Sequence, residues 1–325
     1  MTILVTGGAG YIGSHMSYGL VDAGERVVVL DDLSTGFDWA VPKGVPLLRG
    51  NVGDQSLLQT TISRYEVDII VHFAASTIVP ESMKVPLEYY RNNTVNSRSL
   101  MESAVNCGVR GFIFSSTCAI YGNSPTMVVK EDTPPAPMSP YASSKLMTEM
   151  MLRDVSAVSD LRHVILRYFN VAGADPLGRT GQSTRNATHL IKAAVEAAVG
   201  KRPKIQVYGT DYDTADGTAV RDYIHVSDLV AAHLGAIRYL RDRGSSMVLN
   251  CGYSRGHSVL DVINSVKRVS GVDFEVTHGG RRAGDVAAIV ADAGLIRSVL
   301  NWSPKFEDLD TIVRHALEWE KRSTG

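Results

Sequence analysis

An apolar run that breaks into glycines opens the chain: Thr2-Ile-Leu-Val-Thr-Gly-Gly-Ala-Gly-Tyr-Ile-Gly13. Gly8, Gly10 and Gly13 satisfy G-x-G-x-x-G, and Gly7, Gly10 and Gly13 form an overlapping G-x-x-G-x-x-G. Glycine fits here because the chain must turn tightly and bring backbone N–H groups close to an anion with no Cβ in the way. The helix that follows points its positive N-terminal end at the same spot. Glycines so spaced also make ordinary turns. Directly after a strand-like run and before a helix-like segment, they predict a dinucleotide cradle and confine the fold to a parallel α/β sheet.

The rest of the first half keeps that rhythm. Ile3–Val5, Val27–Leu30, Leu47–Leu48, Ile69–Phe73, Phe112–Phe114 and Val164–Leu166 are near-continuous apolar runs, suited to strands buried on both faces. Helical segments are predicted around 12–23, 54–64, 86–107 and 141–157. The alternation gives an α/β fold, a Rossmann-type doubly wound parallel sheet with ligands at the carboxyl ends of its strands. After Gly173 the pattern loosens into the polar stretch 175–184, a helix near 187–199, a short strand Ile205–Tyr208 and the turn-rich 209–217. Helices near 227–241, 258–270 and 308–321 complete a smaller mixed α/β substrate-binding domain. The expected division is 1–172 for the cofactor domain and 173–325 for the second, with segments near 227–253 returning to the first.

Charge and cysteine content narrow the partners. Thirty-three basic against 34 acidic residues leave a net charge of −1 with no long run of either sign, so no nucleic acid and no membrane surface is expected. Cys107, Cys118 and Cys251 lie far apart without C-x-x-C spacing, which indicates neither a disulfide framework nor a zinc site, and no metal is expected. Strand-like residues from Thr2 leave no room for a signal peptide, and no apolar run reaches membrane-spanning length, so a cytoplasmic location is the expectation.

Two further groups carry chemistry. Asp31 closes the second strand, 18 positions after Gly13, where a carboxylate accepts from adenosine ribose hydroxyls and repels a 2′-phosphate. Neither Leu30 nor Asp32 is basic, so NAD is expected rather than NADP. Tyr141 and Lys145 stand four residues apart, on one face of a helix. A free phenol has a pKa of about 10, and moving it by roughly three units takes about 4 kcal/mol of differential stabilisation. A neighbouring ammonium and a positive nicotinamide ring in a partly dry site could supply that. Ser115-Ser-Thr117 follows the fifth strand, which sets Thr117 where it could bond a substrate hydroxyl. Tyr-x-x-x-Lys alone often arises by chance; in phase with the cradle and the Ser-Ser-Thr strand end it signals a base and its activator.

These residues resemble the extended short-chain dehydrogenase/reductase family, and within it the nucleotide-sugar epimerases. The likeness runs over nearly the whole chain, through Thr6–His15, Val71–Ala75, Pro86–Tyr90 with Asn92 and Asn93, Phe112–Thr117, Tyr121-Gly122, Ser139–Tyr141, Ser144-Lys145 and Leu166–Asn170. Asp216–Thr218, Arg221-Asp-Tyr-Ile-His225, Ser258–Asp261 and Arg281-Arg-Ala-Gly-Asp285 continue it, the arginine motifs being the ones that point to nucleotide sugars. The resemblance implies an isomerase that inverts C4 of a UDP-hexose through NAD, interconverting UDP-glucose and UDP-galactose, and a homodimer built on the helices near 86–107 and 141–157. It implies Tyr141 as base, Lys145 as activator and cofactor ligand, and Thr117 as partner of the substrate hydroxyl. Gly7, Gly10, Tyr11, Ile12, Gly13, Asp31, Asp32, Asn51, Val52, Phe73, Ala74, Ala75, Asn92, Ser115 and Tyr168 fall on cofactor positions. Asn170, His189, Leu190, Gln206, Tyr208, Arg221, Arg282, Asp285 and Ile289 fall on UDP-sugar positions, and guanidinium groups suit a diphosphate well.

The chain departs from the family pattern in places. Thr117 replaces a serine and keeps the hydroxyl. Asn51 replaces an aspartate expected to meet the adenine amino group, its amide oxygen still an acceptor. Thr77 removes a lysine near the cofactor. Ile289 stands where members restricted to glucose and galactose often have tyrosine and where smaller residues admit N-acetyl sugars; isoleucine is intermediate, so an epimerase of an N-acetylhexosamine, pentose or uronate remains an alternative. A 4,6-dehydratase would carry an acid/base carboxyl pair after the threonine, where this chain has Cys118-Ala119. A non-catalytic NAD sensor would have no use for Tyr141, Lys145 and Thr117 together. Cys118, His72, His225, Trp302 and Trp319 read as packing or bracing residues.

Overall fold

The computed structural model describes residues 1–184, 187–282 and 284–322. Its strands are β1 (Thr2–Thr6), β2 (Arg26–Asp31), β3 (Leu47–Arg49), β4 (Val67–His72), β5 (Gly111–Thr117), β6 (Val128–Val129), β7 (Arg162–Tyr168), β8 (Asn170–Ala172), β9 (Lys204–Tyr208), β10 (Val220–His225), β11 (Met247–Cys251), β12 (Gly256–Ser258), β13 (Glu275–Gly279) and β14 (Ala288–Ala291). Its α-helices are α1 (Tyr11–Asp22), α2 (Gln55–Tyr65), α3 (Val79–Ser82), α4 (Pro86–Tyr89), α5 (Asn96–Asn106), α6 (Pro140–Ala157), α7 (Leu190–Ala198), α8 (Val226–Arg241), α9 (Val259–Ser270), α10 (Gly294–Leu300) and α11 (Leu309–Arg322).

Seven strands form one all-parallel sheet in the order β11-β7-β5-β4-β1-β2-β3. The order reverses between β1 and β4, which opens a crevice at their carboxyl ends. Strand alternation divides the core. Ile3, Val5 and Val29 face one side with Met16 and Leu20 of α1, whereas Leu4, Val28, Leu30, Phe112 and Phe114 face the other with Leu58 and Leu152. Both faces are dry, so these strands carry no polar face. Truncating one such residue, Leu4→Ala for instance, should cost about 2–5 kcal/mol. Helix starts follow side-chain chemistry. Ser139 accepts from the Ala142 amide at 3.2 Å, with Pro140 in the first turn of α6. Ser258 and Asp261 form a reciprocal capping box on α9, which Gly271 ends at φ 71°.

The second half builds β12-β10-β14-β6, with β8 also paired to β10, and a separate parallel pair of β9 and β13. β11 lies in the large sheet beside β7, and α8 packs on α1. Among the described residues no helix is long and apolar enough to cross a membrane, and no group of three or more His, Cys, Asp or Glu side chains converges as a metal site would require.

Two expectations need correction. The helix predicted over 86–107 is interrupted: Tyr90–Val95 forms a π turn between α4 and α5. Its cause is visible in Asn93, which is buried and whose Oδ1 accepts from the Ser76 amide at 2.8 Å. The same amide group donates to the Ser76 carbonyl and to Ser144 Oγ at 3.0 Å each. The wider turn lets a helical residue serve a loop at the sheet end. Ser115–Thr117 are the last residues of β5 and not a loop after it, since backbone pairing with Leu166–Tyr168 continues through Thr117.

Candidate active site

The crevice at the carboxyl ends is built mainly from backbone. Gly7 sits at φ 70°, and a Cβ there would lie 2.6 Å from the Ala74 amide nitrogen. A Cβ on Gly13 would lie 2.0 Å from the Gly7 carbonyl oxygen. At Gly10, the N-cap of α1, an added Cβ would meet only that carbonyl at 3.3 Å, and no side chain caps the helix. The amides of Tyr11, Ile12 and Gly13 precede the first intrahelical bond, from Ser14 to Gly10, and no acidic residue stands in the first turn. A loop that admits no Cβ at Gly7 or Gly13, leading to uncapped helix amides, fits a dinucleotide pyrophosphate.

Asp31 takes a different role from the one expected of it alone. It is buried at the end of β2, accepting from Ala9 N at 2.9 Å and Leu33 N at 2.8 Å, so it first braces the glycine loop. Burial pushes its carboxyl above the ordinary range despite those bonds. Asp32 is exposed and accepts from Ser34 N. Asn51 uses one lone pair of its amide oxygen on the Gly53 amide at 2.8 Å, and its nitrogen lies 3.4 Å from Asp32, which leaves the oxygen a second acceptor position. Val52 is buried next to it. Phe73, Ala74 and Ala75 leave β4 across the glycine loop, with Phe73 N bonded to the Thr6 carbonyl. Thr77 is exposed beyond them.

α6 brings Tyr141 and Lys145 to the end of β5. Lys145 is buried, with Nζ donating to the Ser115 carbonyl at 2.8 Å and lying 4.9 Å from the Phe114 ring centre. Burial lowers its pKa to about 7 against the opposing pull of Glu149. Tyr141 is pushed up to about 12 by burial, with a hydrogen bond to Thr117 opposing. Burial is thus the main cause of the raised phenol, and Lys145 turns its ammonium to the Ser115 carbonyl. Thr117 accepts from Ala119 N at 3.1 Å, and Ser115 Oγ bonds the Tyr168 hydroxyl. Asn92 donates to Ser76 Oγ at 2.9 Å, at the π turn.

The sugar side is assembled from side chains. Asn170 on β8 pairs with Tyr223 of β10, next but one to Arg221, and Arg221 pairs with Ile289 on β14. Arg221 NH2 lies 3.8 Å from Asp285, and its NH1 donates to the Val220 carbonyl at 2.9 Å. Arg282 is exposed and stacks 3.7 Å over the Tyr208 ring. Gln206 is exposed on β9. His189 and Leu190 begin α7, His189 Nδ1 bonding Gln182. Ile289 is buried among Tyr121, Phe169 and Ala291, which leaves it little freedom to act as a gate. Ala283, within the arginine motif, lies outside the described residues.

Other residues join the site without having been singled out: Asn93 and Ser76 at the π turn, and Glu149 with Arg167 behind Lys145. A polar residue on the inward face of a helix, four after Lys145, was the available signal for Glu149. The side residues behave as packing predicts. His72 is bonded on both ring nitrogens, to Thr6 and Ser97, and burial holds it down at about 3. His225 accepts from Ser227 N at the start of α8, and Trp302 donates to the Asp228 carbonyl. Cys118 is held up at about 12 by burial.

A parallel sheet with a glycine cradle at its switch point, and a tyrosine, lysine and threonine at the neighbouring strand end, defines a dinucleotide-dependent class acting on hydroxyl or carbonyl carbon. Comparison with known proteins makes this specific: the chain belongs to the NAD dependent epimerase/dehydratase family, whose profile matches residues 3–252. A UDP-glucose 4-epimerase of Azospirillum brasilense is 53% identical over 98% of this chain and 92% of that one. The UDP-glucose 4-epimerase of Brucella ovis in complex with NAD superposes with a TM-score of 0.94 at 41% identity, covering 98% of this chain and 97% of the other. That of Bifidobacterium longum, in complex with NAD+ and UDP, gives 0.95 at 35% identity, covering 100% and 99%.

Proposed function

We propose that the chain is a UDP-glucose 4-epimerase, interconverting UDP-glucose and UDP-galactose with NAD held at the glycine cradle. The observation that carries this is the convergence of Tyr141, Thr117 and Lys145 at the end of β5, beside a loop that admits no Cβ at Gly7 or Gly13. Its relatives of that name support the choice of sugar.

In this reading the amides of Tyr11, Ile12 and Gly13 take the pyrophosphate, and Asp31 meets the adenosine ribose with its remaining lone pairs. Lys145, Asn92 and Tyr168 border the nicotinamide end. NAD, when bound, would supply the hydride acceptor, and in its reduced form the hydride donor, for the sugar C4. Tyr141 takes the 4-hydroxyl proton, with Thr117 bonded to both oxygens, and gives it back after the sugar has turned. Charge brought to the phenol must first overcome the burial that raises it. Arg221 and Arg282 clamp the diphosphate, while Asp285, Asn170, Leu190 and the β9 residues hold the uridine. Strong nucleotide grip beside a loosely held sugar allows the intermediate to present either face.

We further propose that residues 1–172 with α8 and β11 carry the cofactor and the remainder of 173–325 the UDP-sugar. A homodimer through α5 and α6 accounts for the exposed Met147 and Met150 on α6 and Val95 in the π turn before α5. Three free cysteines suit a cytoplasmic location. The test is incubation of the purified protein with UDP-galactose and no added cofactor. UDP-glucose should form; no conversion even with added NAD would remove galactose, and N-acetylated, pentose and uronate UDP-sugars would follow.

A further inference from the structure

Behind the catalytic pair lies a buried charge with no assigned role. Tyr141, Lys145 and Glu149 recur every four residues on α6 and share its inward face. Glu149 is fully buried. Its Oε1 accepts from Ser116 Oγ at 2.5 Å and Arg167 Nε at 3.0 Å, and its Oε2 from Arg167 NH2 at 2.7 Å. Arg167 NH1 donates to the Tyr121 hydroxyl and the Glu131 carbonyl, 3.0 Å each. Arg153 approaches the same carboxylate at 3.9 Å from a half-exposed position.

The anchors sit where the chemistry sits. Ser116 lies between Ser115, whose carbonyl holds Lys145, and Thr117, which bonds Tyr141. Arg167 immediately precedes Tyr168 and is paired with Ser116 across the strands. A buried ion pair is weak evidence for stability, because apolar residues of similar volume often serve as well. Its placement here points to geometry and field instead.

We propose that Glu149 is a positioning residue for the Tyr141–Lys145 pair: anchored by Ser116 and Arg167, it sets α6 against the end of β5 and supplies the negative charge that keeps Lys145 protonated. The inference rests on the proposed roles of Tyr141 and Lys145, but the state of Lys145 can be read without turnover. Facing Lys145 are the Ser115 carbonyl and Phe114 ring on β5 and His72 on β4, with Tyr141 and Glu149 one turn away on either side along α6. His72 is neutral near pH 7, and the π turn presents the uncharged Asn93. Glu149 is the acidic group that opposes the burial of Lys145.

The test compares Glu149→Gln with the parent protein as purified. Lys145 is titrated by its 13Cε resonance, assigned by its loss in Lys145→Met, and the pH profile of kcat is measured alongside. Glu149→Gln should raise the Lys145 acid constant about tenfold or more, one pKa unit being tenfold, and move the alkaline limb of kcat, where Lys145 loses its proton, to lower pH. Glu149→Asp, which keeps the charge, should restore the Lys145 midpoint. Ser116→Ala should lower kcat several-fold with the midpoint unmoved, separating position from field. A folded Glu149→Gln protein with the parent's midpoint and alkaline limb overturns the proposal. Should Glu149→Gln fail to fold, unchanged kcat in Ser116→Ala overturns it. If the parent converts no UDP-sugar, the functional reading fails, while the Lys145 midpoints still decide this one.

Discussion

The two walls of the crevice are made differently. The cofactor wall is backbone: glycines packed against Ala74 and Gly7, uncapped amides at the start of α1, and a buried Asp31 whose bonds go to main-chain N–H groups. The sugar wall is side chain: Arg282 exposed over Tyr208, Arg221 reaching toward Asp285 at 3.8 Å, Gln206 on an exposed strand. Backbone held by a seven-stranded sheet gives a fixed site at low entropic cost, whereas long side chains reach a ligand only at the cost of being ordered on it. In the proposed reaction both walls grip a nucleotide that stays, the first NAD and the second UDP, and the sugar turns between them.

The sharpest way to break that contrast is at Gly13. Gly13→Ala places a methyl 2.0 Å from a main-chain oxygen that cannot yield without moving the loop. NAD recovered per protein should fall to near zero, and stability should drop with it, as read by thermal melting. Next comes Tyr141→Phe, which keeps the fold and the cofactor. Turnover should fall by roughly 10²–10⁴, the range for a positioned acid/base group, with NAD content unchanged.

On the other wall the effect should be smaller and of another kind. Arg282→Ala removes an exposed guanidinium; a charge-assisted hydrogen bond is worth about 1.5–3 kcal/mol, so KM for UDP-galactose should rise about 10- to 100-fold. kcat should change little, and stability by no more than about 0.5 kcal/mol. If Arg282→Ala lowered kcat as Tyr141→Phe does, the two walls would not differ as described.

The last effect concerns pH. Lys145 falls from 10.5 to about 7 on folding, so the unfolded chain binds more protons between those values. Lys145 therefore makes stability rise with pH from about 7 toward 10, and this part of the slope should vanish in Lys145→Met. Denaturant unfolding at pH 7 and 9.5 measures it. An identical slope in both proteins would mean that Lys145 is not held down by burial.

The backbone wall was the more legible in sequence. Continuous apolar runs and a glycine spacing are local signals, and six of the seven sheet strands follow from them. Thr117, Tyr141 and Lys145 were found because strand end and helix face each have a short period. The sugar wall was reached through resemblance, since Asn170 on β8, Arg221 on β10 and Arg282 in the loop before β14 are placed by no local pattern. The π turn at Tyr90–Val95 was invisible because its cause, Asn93 bonding Ser76 and Ser144, is tertiary. So was the engagement of Asn51 by Gly53. The upward shift of Tyr141 depends on burial, which no spacing reports.

The most direct measurement is to supply UDP-galactose deuterated at C4, in ordinary water, to the protein without added cofactor. The account expects UDP-glucose with deuterium retained at C4, because the same hydride leaves and returns within one site. UDP-glucose carrying protium at C4 would contradict it, since inversion would then proceed by exchange with solvent.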